Sequence, residues 1–335
     1  MNHIGRIFQL TIFGESHGKC VGVVLDGVPA GIPLKEEDFT FDLARRKSGS
    51  LGTTPRIETD QICLESGVFQ GATTGGAILI RFLNENTKSK DYSNLLVHPR
   101  PSHADFVAEK KYHGHQDYRG GGSFSGRLTL GLVAAGVIAK KLLKKVEFHT
   151  SIINLGGSTN PDEFEQILRS TTKEQDSIGG IVQIVSKNIG IGLGEPYFDS
   201  LESTISHLLF SVGGVKGVSF GIGFDGVSLR GSEFNDSIIN EQGQTQTNHN
   251  GGINGGISNG NDLVLSVFVK PTPSIGRAQE TYHFENHQVE ELKIEGRHDT
   301  AVVLRAQVVL EACVAIALAD AYLVKQALEG EERNE

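Results

Sequence analysis

The sequence has no tryptophan, one methionine and only three cysteines among its 335 residues. Cys20, Cys63 and Cys313 lie far apart among apolar residues, and no two of them form a Cys-x-x-Cys pair. Because closely spaced cysteine pairs mark disulfide frameworks and metal or redox sites, this pattern favours reduced, buried thiols instead. We therefore expect a protein of the cytoplasm.

An excess of positive charge and long apolar runs are also missing. The formal net charge is -9, so neither nucleic acid nor an acidic membrane surface is an expected partner. The N-terminus has no signal-type apolar run, and no later segment approaches the length needed to span a membrane. An acidic protein that binds an anion must use a local cluster of arginines, so the positions of its arginines are informative.

Glycine is abundant, with 42 residues, and the most informative stretch runs from Asp117 to Thr129. Three consecutive glycines, 120–122, allow the backbone to come very close to a ligand. Apolar residues recur at helical spacing after Gly126, so the glycine loop is predicted to open a helix. A helix N-terminus suits a phosphate or a carboxylate. The loop lacks the Gly-Lys-Ser/Thr ending of a P-loop, and a glycine-rich turn between two core elements remains the alternative.

A second glycine-bounded loop holds Ser16 and His17, in Gly-Glu-Ser-His-Gly at 14–18. It follows a predicted strand, which is a suitable place for a reactive side chain. The letters match the nucleophile elbow Gly-x-Ser-x-Gly, but that elbow requires a helix after it. The run from Val21 reads as a strand, so we do not predict an elbow.

Basic and histidine residues cluster in sequence around the glycine loop. A short predicted helix at 37–47 ends in basic residues that include Arg46, and 100–105 reads Arg-Pro-Ser-His-Ala-Asp. Arginine, histidine and carboxylate residues gathered in this way predict an active site. A metal-dependent hydrolase is the rival interpretation, with ligands drawn from His103, Asp105, His113, His115 and Asp117.

Several motifs together resemble the chorismate synthase family, in its order and over nearly the whole chain. They are Gly-Glu-Ser-His-Gly at 14–18, Arg-Pro-Ser-His-Ala-Asp at 100–105, Asp-Tyr-Arg-Gly-Gly-Gly at 117–122, Gly-Gly-Ile-Ser-Asn-Gly at 255–260, Lys-Pro-Thr-Pro-Ser-Ile at 270–275 and Gly-Arg-His-Asp at 296–299. Several spaced motifs are more specific than any single glycine loop.

The resemblance implies an α+β fold, a single domain over residues 1–335 in which antiparallel sheets pack around central helices as a β-α-β sandwich. It implies the anti-1,4-elimination of phosphate from 5-enolpyruvylshikimate 3-phosphate to give chorismate, the last common step of aromatic amino acid biosynthesis. Reduced FMN is the implied cofactor, without net redox change, and no metal is implied. The implied assembly is a homotetramer, with a separate flavin reductase as a further possible partner.

The resemblance also implies roles for individual residues. His17 resembles the general acid near the phosphate, His103 the residue that protonates or stabilises the reduced flavin, and Asp299 the carboxylate that acts with flavin N5. The implied substrate contacts are Ser16, Arg46, Arg100, Arg127 and Arg297, and Arg46 also matches a family NADP position. The implied flavin contacts are Ser123, Phe124, Ser125, Gly213, Gly214, Gly255, Lys270, Pro271, Thr272, Pro273, Ser274 and Arg297.

The chain departs from the commoner family pattern in the glycine loop. Ser123 and Phe124 stand where an arginine and a serine are usual, so the contacts of this loop with a phosphate are in question. Near the C-terminus a long helix is predicted from Val302 to Val324, and a residue just before it can act as its cap. Capping that helix is therefore the alternative role of Asp299.

Overall fold

The computed structural model describes residues 2–54, 59–85, 94–294 and 298–329. Its strands are β1 (His3–Ile4), β2 (Gln9–Gly14), β3 (Cys20–Asp26), β4 (Ile62–Leu64), β5 (Val68–Phe69), β6 (Ala72–Thr73), β7 (Ile78–Leu83), β8 (Glu147–Leu155), β9 (Gly180–Lys187), β10 (Val215–Phe220), β11 (Ile253–Asn254), β12 (Ile257–Ser258), β13 (Leu263–Val269), β14 (Gln279–His283) and β15 (Gln288–Leu292). Its α-helices are α1 (Thr40–Arg46), α2 (Asp105–Tyr112), α3 (Thr129–Leu142), α4 (Pro161–Lys173), α5 (Leu201–Ser211), α6 (Gly231–Phe234) and α7 (Val303–Leu328).

Two antiparallel sheets form the outer layers. One has the strand order β1-β2-β3-β7-β4, and the other has the order β10-β13-β9-β8. Burial alternates along strands such as β7 and β13, because successive side chains of a strand point to opposite faces and one face covers the core. Each sheet therefore presents one apolar face to the helices.

Helices α3 and α7 lie between the sheets and pack on each other. α3 packs on β3 and β7 of the first sheet, and α7 packs on β8 and β9 of the second. Every residue of 130–139 is buried, as expected for a helix covered on all sides. The two helices approach closely at Gly136, where a Cβ would lie 2.4 Å from the Cβ of Ala312.

The α+β prediction, with antiparallel sheets around central helices, is confirmed. The glycine loop opens a helix as predicted, because 3-10 turns at Arg119–Phe124 and Gly126–Leu128 lead directly into α3. The strand predicted after Gly-Glu-Ser-His-Gly is β3, so this segment lacks the helix that a nucleophile elbow requires.

The prediction that no segment approaches membrane-spanning length is wrong. α7 is long and apolar enough to cross a membrane by length and composition. The most apolar window of this helix is 83% buried inside the protein, because sheet and helices cover it on every side. Its composition therefore reflects a central position in the core.

A buried carboxylate, Glu311, interrupts the apolar surface of α7. Its side chain is 3% exposed and contacts Arg45 at 2.7 Å, and it also accepts hydrogen bonds from Lys140 and Thr150. Burial raises the pKa of Glu311, but Arg45 and Lys140 outweigh burial and lower it from 4.5 to about 2. The ion pair ties the end of α1 to the central helix.

Glu311→Gln should lower the free energy of unfolding by about 3 kcal/mol at neutral pH. This is the free energy that corresponds to the fall in the pKa of Glu311 from 4.5 to about 2 on folding. Because the folded-state pKa is depressed, the stabilisation is complete above pH 4.5 and is lost as the pH falls toward 2. Urea unfolding of both proteins at several pH values measures this difference. Glu165→Gln, which breaks an exposed pair with Arg169, is the control and should change stability by about 0.5 kcal/mol or less.

Candidate functional site

A cavity of about 610 Å³ gathers residues from distant parts of the chain. Its volume lies within the range of about 300–1,000 Å³ that is typical of ligand and cofactor sites. His103 lines it, together with most of the flavin contacts that the sequence implies: Ser123, Phe124, Ser125, Gly213, Gly214, Lys270, Pro271, Thr272, Pro273 and Ser274. The structure thus brings together three separate segments of the predicted cofactor site.

One predicted flavin contact is not part of this cavity lining, and another cannot be placed because it lies outside the described residues. Gly255 lies in the turn between β11 and β12, and it does not line the cavity. Arg297 lies outside the described residues, so its predicted contacts with substrate and flavin stay predictions.

The glycine loop packs directly on Ser16 and His17. Gly120, Gly121 and Gly122 have φ values of 60°, 81° and 51°, which residues with a side chain rarely adopt. A Cβ on Gly120 would lie 2.6 Å from Nε2 of His17 and 2.9 Å from Oγ of Ser16. The loop therefore needs glycine both for its backbone conformation and for its close approach to the two side chains.

Arg46 and Arg127 are buried together behind the glycine loop, with Asp60 between them. Arg127 donates to Asp60 at 2.9 Å, and Arg46 lies 3.6 Å from the other oxygen of that carboxylate. Arg46 also donates to the carbonyl of Gly126 at 2.7 Å and to the hydroxyl of Thr129 at 2.9 Å. The guanidinium of Arg46 is therefore fixed against the start of α3, and that of Arg127 is fixed by Asp60, Asn84 and the carbonyl of Leu83.

The charge around Arg46 is not balanced. Burial, together with the charges of Arg305 and Arg127, lowers the pKa of Arg46 to about 9, and the opposing effect of Asp60 and Asp299 is too small to restore it. A pKa of about 9 still leaves the guanidinium charged at neutral pH. This cluster has more positive than negative charge in a desolvated place, so it suits an anion.

Arg100, His103 and Asp105 form a second polar group, at the start of α2. Two nitrogens of Arg100 lie 2.7 Å from the two oxygens of Asp105, and Nδ1 of His103 lies 2.6 Å from the same carboxylate. Burial raises the pKa of Asp105, but Arg100 and His103 outweigh it and hold the pKa well below its usual range. We assign the Nδ1 proton of His103 to this short contact, which leaves Nε2 available to a ligand.

Arg100 also contacts a residue that lines two cavities. It donates to the hydroxyl of Ser274 at 2.8 Å, and Ser274 lines both the first cavity and a second one of about 590 Å³. His298 and Asp299 line the second cavity. Burial, followed by the charge of Arg100, lowers the pKa of His298, so this imidazole is neutral at neutral pH.

Asp299 does not cap the last helix. The N-cap of α7 is Val302, which has no side-chain capping bond, whereas Asp299 accepts hydrogen bonds from the amide of Thr54 at 2.8 Å and from Arg305 at 3.0 Å. Arg305 also donates to the carbonyl of Arg46 at 3.0 Å. The capping alternative is therefore wrong, and Arg305 links Asp299 to the backbone of Arg46.

Sequence reasoning missed Asp60 and Arg305. Asp60 lies in a polar connection between two predicted elements, and Arg305 lies in the first turn of an apolar helix. The available signal for Arg305 was its charge in a mostly apolar helix, since a charged side chain is rarely buried without a partner. The rival metal ligands do not converge either: within the described ranges, no three His, Cys, Asp or Glu side chains could hold a metal ion.

Comparison with known proteins gives one consistent result. The family model described as chorismate synthase matches residues 8–323. A protein of Chitinophaga pinensis named chorismate synthase is 53% identical over 97% of this chain and 98% of its own length. A protein of Dehalococcoides mccartyi with the same name is 43% identical over 95% of this chain and 96% of its own length.

A solved structure agrees with these relatives. A chain described as the crystal structure of chorismate synthase matches with a TM-score of 0.75 and 26% identity. The match covers 96% of this chain and 93% of that one, so it extends over both sheets and both central helices.

Inorganic phosphate should stabilise the protein, because it relieves the excess positive charge around Arg46. At ten times its dissociation constant the expected gain is about 1.4 kcal/mol. Thermal unfolding with and without phosphate measures the gain. Arg46→Gln should bind phosphate about tenfold more weakly, whereas the exposed control Arg169→Gln should respond like the parent. An equal response in all three proteins would contradict the assignment.

Proposed function

Because the chain belongs to the chorismate synthase family, and is thus a carbon–oxygen lyase that acts on phosphate, we propose that it converts 5-enolpyruvylshikimate 3-phosphate to chorismate. The reaction is a 1,4-elimination: the C–O bond to phosphate breaks, phosphate leaves with the electron pair, and a proton leaves a ring carbon. There is no net redox change. The step belongs to the biosynthesis of aromatic amino acids.

One observation carries the proposal. The loop from Gly120 to Thr129 lines the large cavity and also contacts His17, Ser16 and Arg46. A cofactor in the cavity and an anion at the arginines therefore lie on the two sides of one short loop. This juxtaposition is what an elimination that needs both a flavin and a bound phosphate requires.

The buried arginines bind the substrate. Arg46, Arg127 and Arg100 provide guanidinium forks that pair with carboxylates and phosphate through two hydrogen bonds. His17, against the glycine loop, donates a proton to the departing phosphate, and Ser16 contacts the same group. A fixed cluster of positive charge stabilises the negative charge that develops on the leaving oxygen.

The first cavity fits reduced FMN. Its mainly apolar lining with several polar groups, its volume and the close backbone approach of the glycine loop match a flat ring system with a polar tail. When bound, the reduced flavin would supply electron density that favours the loss of phosphate. His103 lines this cavity and presents Nε2 to the flavin. Arg46, which we assign to the substrate, also matches the NADP position of the family, so NADP is proposed as a further ligand there.

Asp299 accepts the proton that leaves the substrate ring and passes it on. Its carboxylate is 13% exposed and is held by Arg305 and the amide of Thr54, which fixes both of its oxygens. A fixed carboxylate at the second cavity can accept a proton from the flavin side and pass it to water.

The chain acts as one cytoplasmic domain in a homotetramer. One hydrophobic cluster extends through both sheets and the central helices, which supports a single domain. Large apolar side chains stay exposed in this chain, among them Tyr197, Phe198, Phe224 and Val227 at 83–93% exposure, and contacts between subunits would cover them. Reduced flavin comes from a separate flavin reductase.

Anaerobic incubation with reduced FMN and 5-enolpyruvylshikimate 3-phosphate should release phosphate and form chorismate over many turnovers for each flavin. The flavin is not consumed because the reaction has no net redox change. Phosphate release and chorismate absorbance measure the result. Equal turnover with oxidised FMN, where nothing can reduce it, would contradict the proposal.

Asp299→Asn should lower turnover by about 10²–10⁴-fold, the usual value of a positioned proton-transfer group, while FMN and substrate binding and the melting temperature stay close to those of the parent. Asp176→Asn, on the wall of the same cavity, is the matched control and should keep normal turnover. Arg305→Met should also lower turnover, because it releases Asp299. In the double variant the two losses should not add; additive losses would mean that Arg305 acts by another route.

A further inference from the structure

We propose that Asn84 is a positioning residue for the reaction: its side-chain amide fixes the turn that carries His17 relative to the buried Arg127. Asn84 directly follows β7 and is half-buried. It is absent from the catalytic and binding residues implied by the sequence. The proposal rests on the proposed function, because it takes His17 as the general acid and the arginine cluster as the anion site.

His17 lies in the turn that joins β2 to β3, and its side chain is buried. The amide of Gly18 donates to the carbonyl of Glu15 at 3.0 Å, which closes the turn. The amide of Ser16 donates to the carbonyl of Gly122 in the glycine loop at 3.2 Å, which is a first attachment of the turn. The position of the imidazole is therefore set by the contacts that hold the backbone of this turn.

Asn84 provides a second attachment. Its Nδ2 donates to the carbonyl of Glu15 at 3.0 Å and to the carbonyl of Gly18 at 2.9 Å. Its backbone amide donates to the carbonyl of Lys19 at 3.2 Å. The two side-chain bonds attach to residues on both sides of His17 in the chain, and they use both hydrogens of the carboxamide.

The oxygen of the same carboxamide accepts a hydrogen bond from Nε of Arg127. Arginine can only donate and a backbone carbonyl can only accept, so one orientation of the Asn84 carboxamide satisfies all three contacts. Because the donor is charged, the bond to the oxygen is a strong one. One planar group thus connects the arginine cluster to the backbone around His17.

Asn84 is itself anchored by a central strand. β7 pairs with β3 along one edge and with β4 along the other, and Phe82, two residues before Asn84, is fully buried. A side chain supported by a strand is held more precisely than one on a loop. The carboxamide is therefore a fixed point for both the turn and the arginine.

Loss of the carboxamide should displace His17 more than Arg127. Arg127 also donates to Asp60 at 2.9 Å and to the carbonyl of Leu83 at 3.0 Å, so its guanidinium keeps two acceptors. The turn, in contrast, loses a donor to each of the two carbonyls that flank the Ser16-His17 pair.

This difference has a chemical consequence. A general acid must lie within hydrogen-bond distance of the group that it protonates, and a misplacement of about 1 Å can lower the rate about 10²-fold. The affinity for the anion depends instead on the charges of Arg46 and Arg127, which Asn84 leaves unchanged. Asn84 therefore acts on the distance between the acid and the bound phosphate.

Asn84→Ala should lower kcat about 10²-fold and leave KM close to that of the parent. Asn84→Asp keeps the size of the side chain and an oxygen toward Arg127, but turns its second oxygen toward two carbonyls. Its kcat should fall as well, and its added negative charge should raise KM. The control Asn154→Ala removes the acceptor of the Gly157 amide, at 3.1 Å, away from the described lining of both cavities, and should change neither parameter.

A double-mutant cycle tests whether the effect passes through His17. In the His17→Ala background, Asn84→Ala should change kcat by less than about twofold, because the group that it positions is already missing. A full loss in that background would overturn the proposal. A parent-like kcat in Asn84→Asp would mean that Asn84 only fills space, and a raised KM with unchanged kcat in Asn84→Ala would assign it to anion binding; either result would also overturn it.

A measurement without turnover separates this proposal from the proposed function. Inorganic phosphate should shift the imidazole resonance of His17, which NMR identifies among the 12 histidines by its loss in His17→Ala. At equal phosphate occupancy the shift should be clearly smaller in Asn84→Ala than in the parent and in Asn154→Ala. Equal shifts, or no shift in the parent, would overturn the proposal even if chorismate forms. The expected shifts in a parent that forms no chorismate would contradict the proposed function alone.

Discussion

The carboxylate of Asp60 lies between two buried guanidinium groups, and the candidate site depends on this contact. Without a carboxylate, Arg46 and Arg127 would repel each other in a place where water cannot screen them. With one carboxylate for two cations, the cluster is held in position but keeps an excess of positive charge. The same contact therefore stabilises the folded chain and preserves the affinity of the site for an anion.

The position of Arg46 is set from the core rather than from the surface. Its neighbour Arg45 is bound to Glu311 in the middle of α7, and its carbonyl accepts a hydrogen bond from Arg305 one and a half turns earlier in the same helix. α7 is also the helix that packs against α3, whose first turn contacts the guanidinium of Arg46. The single buried helix α7 thus fixes the backbone of Arg46, the side chain of its neighbour Arg45, and the helix α3 that its guanidinium contacts.

The parts of this structure that depend on local sequence could be predicted. Three glycines before an apolar periodic run predict a loop that opens a helix, and α3 is that helix. The pairing of Arg127 with Asp60 spans 67 residues and that of Arg305 with the carbonyl of Arg46 spans 259, and no local pattern indicates such contacts. The length and apolarity of α7 were misjudged for a related reason, since a helix buried on all sides has the composition of a membrane span.

The shared position of Ser274 has a thermodynamic consequence. Ser274 lines both cavities, and its hydroxyl accepts a hydrogen bond from Arg100. The guanidinium of Arg100 also pairs with Asp105 and adjoins His103. A ligand that displaces Ser274 in one cavity changes the shape and the charge of the other. Such a coupling is reciprocal, because each ligand must alter the affinity of the other by the same factor.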